Sequence, residues 1–102
     1  MSIKKQYLKS KDVCKVTFAV PPSESDGVEK VYVVGEFNNW STSATPMKRF
    51  KNGVFRISLD LEKGREYQFR YLYDDRKWDN DAEADKSTET PFGDARNSVI
   101  VL

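Results

Sequence analysis

The sequence contains no histidine and a single cysteine, Cys14. Without histidine, a Ser-His-Asp triad, a Cys–His nucleophile and a His-ligated metal centre are all excluded. One cysteine permits no intrachain disulfide and no cysteine-based zinc site. No apolar run approaches the ~20 residues that a membrane-spanning helix needs. The start, Met1-Ser2-Ile3-Lys4-Lys5, is basic, but no apolar stretch follows it as in a secretory signal. A reducing, cytoplasmic setting is therefore expected. Neither sign of charge is in excess, since 17 Lys and Arg against 16 Asp and Glu give a net charge of +1. That balance supplies no general attraction to nucleic acid or an anionic membrane, and neither is expected as a partner.

What is present is aromatic: two Trp, five Tyr and six Phe in 102 residues, enough for one domain with a modest core. Residues 1–12, with four lysines, read as an extended or frayed N-terminal arm. From Val13 the pattern has period two. Cys14, Val16, Phe18 and Val20 share one face, and Pro21-Pro22 ends the strand. Lys30–Phe37 is a second strand, in which Gly35 marks a bulge or a close backbone approach. Asn38-Asn39 turns and presents Trp40. A short strand over Met47–Phe50 leads to Asn52-Gly53, a hairpin signal, and to a strand over Val54–Leu61. Arg65–Tyr73 puts Tyr67, Phe69, Tyr71 and Tyr73 inward, with Gln68, Arg70 and Leu72 outward. Asn80–Ala95 reads as polar and irregular, and Asn97–Leu102 as a closing strand. With no helical period of useful length, the reading is all-β: an immunoglobulin-like sandwich of about seven short antiparallel strands over residues 13–102.

Chemistry-bearing motifs are few. Asp74, Asp75, Asp79, Asp81, Glu83 and Asp85 crowd one stretch, and two carboxylates can hydrolyse a glycosidic bond. Such clusters in loops are ordinarily solvated surface, and nothing in the sequence suggests the apolar pocket that would raise one pKa. Asp79-Asn80-Asp81 opens like a calcium loop, but its sixth and twelfth positions are Ala84 and Thr90. Asn39-Trp40-Ser41 matches a glycosylation sequon that is inert without secretion. No catalytic residue, metal or cofactor is expected. The inward Phe and Tyr residues are core. Trp40 and Trp78 differ, because each follows a polar turn. A large apolar side chain in such a place serves either packing or a ligand.

Five segments together resemble carbohydrate-binding module family forty-eight, the isoamylase N-terminal or early set domain. They are Gly35-Glu36-Phe37-Asn38-Asn39-Trp40, Tyr67-Gln68-Phe69-Arg70-Tyr71-Leu72, Trp78-Asp79-Asn80-Asp81, Pro91-Phe92-Gly93 and Asn97-Ser98-Val99-Ile100-Val101. The family includes the glycogen-binding domain of AMP-activated protein kinase beta subunits. The resemblance implies a sandwich that binds α-1,4-linked glucans such as glycogen or starch, without catalysis, alone or as an accessory to a glucan-processing enzyme. It implies that Trp40 and Trp78 cradle the glucan, that Arg70 and Asn97 bond its hydroxyls, and that Phe92 presses into it. Arg70 stands where the family usually has lysine, which keeps the charge and changes the geometry. The turn Asp74–Lys77 is one residue longer than in the kinase module, and a sugar-binding threonine is replaced near Asp94 or Ala95. Many members precede a glycoside hydrolase family thirteen barrel, and none is expected after Leu102. The alternative is a protein-interaction domain with a degenerate sugar site, docked on such an enzyme or on a second copy.

Overall fold

Alternating apolar and polar residues build two antiparallel sheets. The computed structural model describes residues 2–90 and 95–102. Among them, nine strands run in chain order: β1 (Ser2–Tyr7), β2 (Val13–Val20), β3 (Val31–Gly35), β4 (Lys48–Arg49), β5 (Phe55–Glu62), β6 (Glu66–Tyr73), β7 (Lys77–Asp79), β8 (Lys86–Glu89) and β9 (Arg96–Val101). The first sheet has the order β1-β2-β5-β4. The second has β3-β6-β9-β8, with β7 beside β6. The expected all-β sandwich is what forms, and β1, β7 and β8 are added to the six strands that the sequence marks by residue.

The core lies between the sheets. Cys14, Val16, Phe18 and Val20 of β2 meet Tyr67, Phe69, Tyr71 and Tyr73 of β6, with Val31 and Val33 of β3 and Ile100 of β9 completing the cluster. Phe18 packs edge-on against Phe69 at 5.1 Å and against Tyr71 at 6.5 Å between ring centroids. Each large apolar side chain so buried contributes roughly 1.5–3 kcal/mol. The Asn52-Gly53 turn forms as its composition suggests. Gly53 has φ 84°, Asn52 Oδ1 accepts the Val54 N–H at 3.1 Å, and the Gly53 N–H reaches the Phe50 carbonyl at 2.9 Å.

Of the added strands, β1 and β8 are edge strands. Residues 2–7, within the segment read as an extended or frayed arm, are extended and pair antiparallel with β2 from Ser2↔Ala19 to Tyr7↔Cys14. The Lys5 ammonium reaches across to the second sheet, donating to Asp85 Oδ2 at 2.6 Å and to the Val101 carbonyl at 3.1 Å. Partial burial pushes the Asp85 carboxyl up. The hydrogen bond from Lys5, the Val101 N–H and the Lys5 charge outweigh that and hold it below its ordinary value. A lowered carboxyl stabilises the fold above its unfolded-state pKa, and the contribution is lost as pH falls through the lowered value. β8, in the segment expected to be irregular, pairs with β9 from Lys86↔Val99 to Glu89↔Arg96.

Candidate functional site

The loop that carries Trp40 is fixed residue by residue. Gly35 ends β3 where a Cβ would stand 2.5 Å from the Gln68 carbonyl oxygen and 2.7 Å from Phe69 Cβ, so the close approach requires glycine. Glu36 begins a single 3-10 turn, Glu36–Asn38, and its Oε1 accepts the Gln68 N–H at 2.7 Å. Phe37 turns into the core against Phe18 and Phe69. Asn38 ties the turn down three ways. Its Oδ1 accepts the Gly35 N–H at 3.0 Å, and its Nδ2 donates to the Val33 carbonyl at 3.0 Å and to Thr45 Oγ1 at 2.9 Å. The chain then leaves through two left-handed residues, Asn39 at φ 56° and Trp40 at φ 58°. Asparagine tolerates that region, whereas for a bulky tryptophan it is a strained conformation held by its surroundings. One such hold is the Trp40 N–H, which bonds the Gly35 carbonyl at 2.8 Å.

Trp78 is positioned by a hairpin. Asp74 and Asp75 both have positive φ, as a type I′ turn demands, and the Arg76 N–H closes it on the Tyr73 carbonyl at 3.0 Å. Asp74 Oδ1 also accepts the Glu29 and Lys30 N–H groups, which anchors the turn to the approach of β3. This longer turn leaves Trp78 directly opposite Leu72 in the ladder. The acids after Trp78 are structural. Tyr73 donates to Asp79 Oδ2 at 3.1 Å and Tyr71 to Asp81 Oδ2 at 2.7 Å. Burial, then the neighbouring carboxylate charge, raises both phenols well above their ordinary value, which keeps them protonated and donating. Asn80 and Asp81 in turn grip β9. Ser98 Oγ donates to Asn80 Oδ1 and accepts the Asp81 N–H, both at 2.9 Å.

Arg70 lies on the outward face of β6, as the alternation indicates. Val34 stands opposite it, and two residues along the same face Leu72 stands between Tyr32 and Trp78. Trp78 is thus displaced from Arg70 by about 7 Å along the strand direction. Arg70 Nε donates to Asn97 Oδ1 at 2.6 Å, and Asn97 Nδ2 donates to Gln68 Oε1 at 2.9 Å. Asn97 is only 7% exposed, so its visible role is to hold the guanidinium. Among the described residues, the other guanidinium N–H groups of Arg70 have no protein acceptor.

Val34, Leu72 and Val99 share this outward face and are nevertheless buried, while Trp40 and Trp78 remain 38% and 43% exposed. What is open to a ligand is therefore the two indole rings and the guanidinium of Arg70, while the apolar strip itself is covered. A pyranose has the matching pair of features, an apolar ring face and a rim of hydroxyl acceptors. The structure brings Arg70, Asn97 and Trp78 onto one face and ties the Trp40 backbone to Gly35, next to Val34. Phe92 lies outside the described residues. Sequence reading missed Gln68 as Asn97's second partner, and also the apolar strip, of which the even spacing of Gln68, Arg70 and Leu72 was the only trace.

Asp74, Asp79, Asp81 and Asp85 each serve the contacts above, and among the described residues no group of three acids or cysteines is placed to hold a metal ion. No described helix is long and apolar enough to cross a membrane. No curated protein matches the chain. A family model described as the glycogen recognition site of AMP-activated protein kinase matches residues 9–102, nearly the whole sequence and every described part of the outward face of the second sheet. By that match the chain belongs to the family of glycogen recognition domains.

Proposed function

We propose that the outward face of the second sheet binds an α-1,4-linked glucan, and that the chain does so without catalysing a reaction, alone or as an accessory to a glucan-processing enzyme. The observation that carries this reading is Arg70, held by Asn97 at 2.6 Å on the sheet face that also bears Trp78. An indole stacks on the apolar face of a glucose unit while the free guanidinium donors meet its hydroxyls. Trp40, half-exposed on a strained backbone, supplies a second stacking surface. Family membership supports glycogen as the polymer. A shallow face of this kind exchanges water hydrogen bonds for sugar ones, so affinity falls between micromolar and millimolar.

An NMR titration with maltoheptaose tests it. The two indole N–H signals should move together with the Arg70 Nε–H signal and saturate with one dissociation constant. Unmoved indoles at millimolar sugar overturn the glucan site and leave Trp40 and Trp78 as anchors for a protein partner.

A further inference from the structure

Charge is unevenly spread along this nearly neutral chain. From Phe37 to Leu59 there is no Asp or Glu, but there are four cations, Lys48, Arg49, Lys51 and Arg56. The remaining 13 basic and 16 acidic residues leave the rest of the chain at −3. The fold gathers the four on one hairpin, with Lys48 and Arg56 over the Phe50 ring and Arg49 over Phe55 on the other face. Lys48 stands opposite Arg56 and Arg49 opposite Phe55 in the β4–β5 ladder, and Lys51 sits in the turn. The ion pairs among the described residues join Lys5 to Asp85, Arg65 to Glu62, Lys86 to Glu66 and Arg96 to Glu89, and none engages this cluster.

An aromatic ring sits among them. Phe50 is 40% exposed, with Lys48 Nζ 5.5 Å and the Arg56 guanidinium 5.1 Å from its ring centroid. Lys48, Arg49, Phe50, Lys51 and Asn52 line an open depression of about 540 Å³. β4, two residues long, is the last strand of its sheet, and Met47 just before it gives its N–H to the Val31 carbonyl at 2.8 Å.

We propose that the β4–β5 hairpin is a docking surface for an acidic polypeptide segment. Four clustered cations without carboxylate partners are complementary to successive Asp or Glu side chains. Phe50 gives such a segment an apolar rest beside the cations. Single-stranded nucleic acid fits less well, because it needs a free aromatic face for stacking, and the Phe50 ring already faces two cations. The surface is on the opposite sheet from Arg70 and Trp78, and the proposal does not rest on glucan binding.

The test is an NMR titration of the whole chain with a hexaglutamate peptide, with hexathymidylate run in parallel. Saturable shifts are expected at the Lys48, Arg49, Phe50 and Lys51 amides, with the Trp78 indole still. Affinity should fall roughly tenfold as salt rises from about 25 to about 200 mM. The double variant Lys48→Glu, Arg56→Glu should weaken binding roughly tenfold or more while its amide spectrum away from the hairpin stays that of the parent. Shifts scattered over the surface, no saturation, or undiminished binding in the double variant overturn the proposal. Stronger hexathymidylate than hexaglutamate binding at the same residues also overturns it and assigns the hairpin to nucleic acid.

Discussion

The two sheets present very different outer faces from the same strand grammar. On the first, Lys15, Arg56, Ser58 and Asp60 point to water, and the side-chain bonds there are exposed ones, Thr17 Oγ1 to Ser58 Oγ at 2.8 Å and Arg65 to Glu62 at 3.3 Å. On the second, Val34, Leu72, Val99 and Asn97 occupy equivalent outward positions and are all buried. Alternation alone predicts a wet face in both cases. The difference arises from what lies beside the second sheet, a three-residue strand that lays Trp78 next to Leu72 and a loop locked by Asn38. The second face sets the half-exposed Trp78 on the side that carries a guanidinium fixed by Asn97, and no tryptophan lies on the first sheet.

Replacing Trp78 or Trp40 by Ala separates the faces most sharply. Glucan affinity should fall by about 2–4 kcal/mol, roughly 30-fold or more, as for a buried aromatic anchor. Ser58→Ala on the other face should leave it unchanged. Isothermal titration with maltoheptaose reads both, and equal affinity in the three variants would erase the distinction.

Asn38→Ala strips partners from the Gly35 N–H, the Val33 carbonyl and Thr45 Oγ1 together. A loss of about 2–3 kcal/mol in urea unfolding is expected, with weaker glucan binding as the Trp40 loop relaxes. Thr17→Ala, which breaks an exposed bond of the other face, should cost about 0.5 kcal/mol or less.

Much of this contrast was present in the sequence and some was not. The interior strands were legible because both their faces carry a clear signal, and Arg70 could be placed outward from its position between Phe69 and Tyr71. β1 and β8 were hidden because an edge strand with one covered side needs few apolar residues. In β1 only Ile3 supplies them, and the inward Lys5 is excused by its carboxylate across the gap. The burial of Leu72 depends on Tyr32 and Trp78, which reach it only through strand register. The tie from Arg70 to Asn97 to Gln68 spans strands almost thirty residues apart in sequence, so no local pattern encodes it.

Beneath the second face, Tyr71→Phe leaves Asp81 Oδ2 without its donor, while Oδ1 keeps the Glu83 N–H, and should cost about 1–2 kcal/mol. The pH dependence has a definite sign. Both phenols are harder to ionise folded than unfolded, so their contribution is complete below the ordinary value near 10 and is lost as pH rises through the raised values. Ultraviolet titration should show Tyr71 and Tyr73 silent until alkaline unfolding.

The finest distinction is Gln68→Ala. It leaves Arg70 its bond to Asn97 but frees Asn97's amide, so the guanidinium is less well aimed. Glucan affinity should drop by about 1 kcal/mol, roughly fivefold, with unfolding in urea little changed. Gln68→Glu, which restores an acceptor for Asn97 Nδ2, should recover much of the loss, an outcome that simple loss of bulk does not produce.

One consequence concerns time rather than energy. β1 is held by a single neighbouring strand and by the Lys5 clasp, and its last residue, Tyr7, faces Cys14, whose side chain has no solvent exposure. That thiol is the only one in the chain. Its alkylation rate is therefore a clock for the peeling of the first strand. Labelling that outruns global unfolding would mean that this strand departs and returns many times in the life of the folded domain.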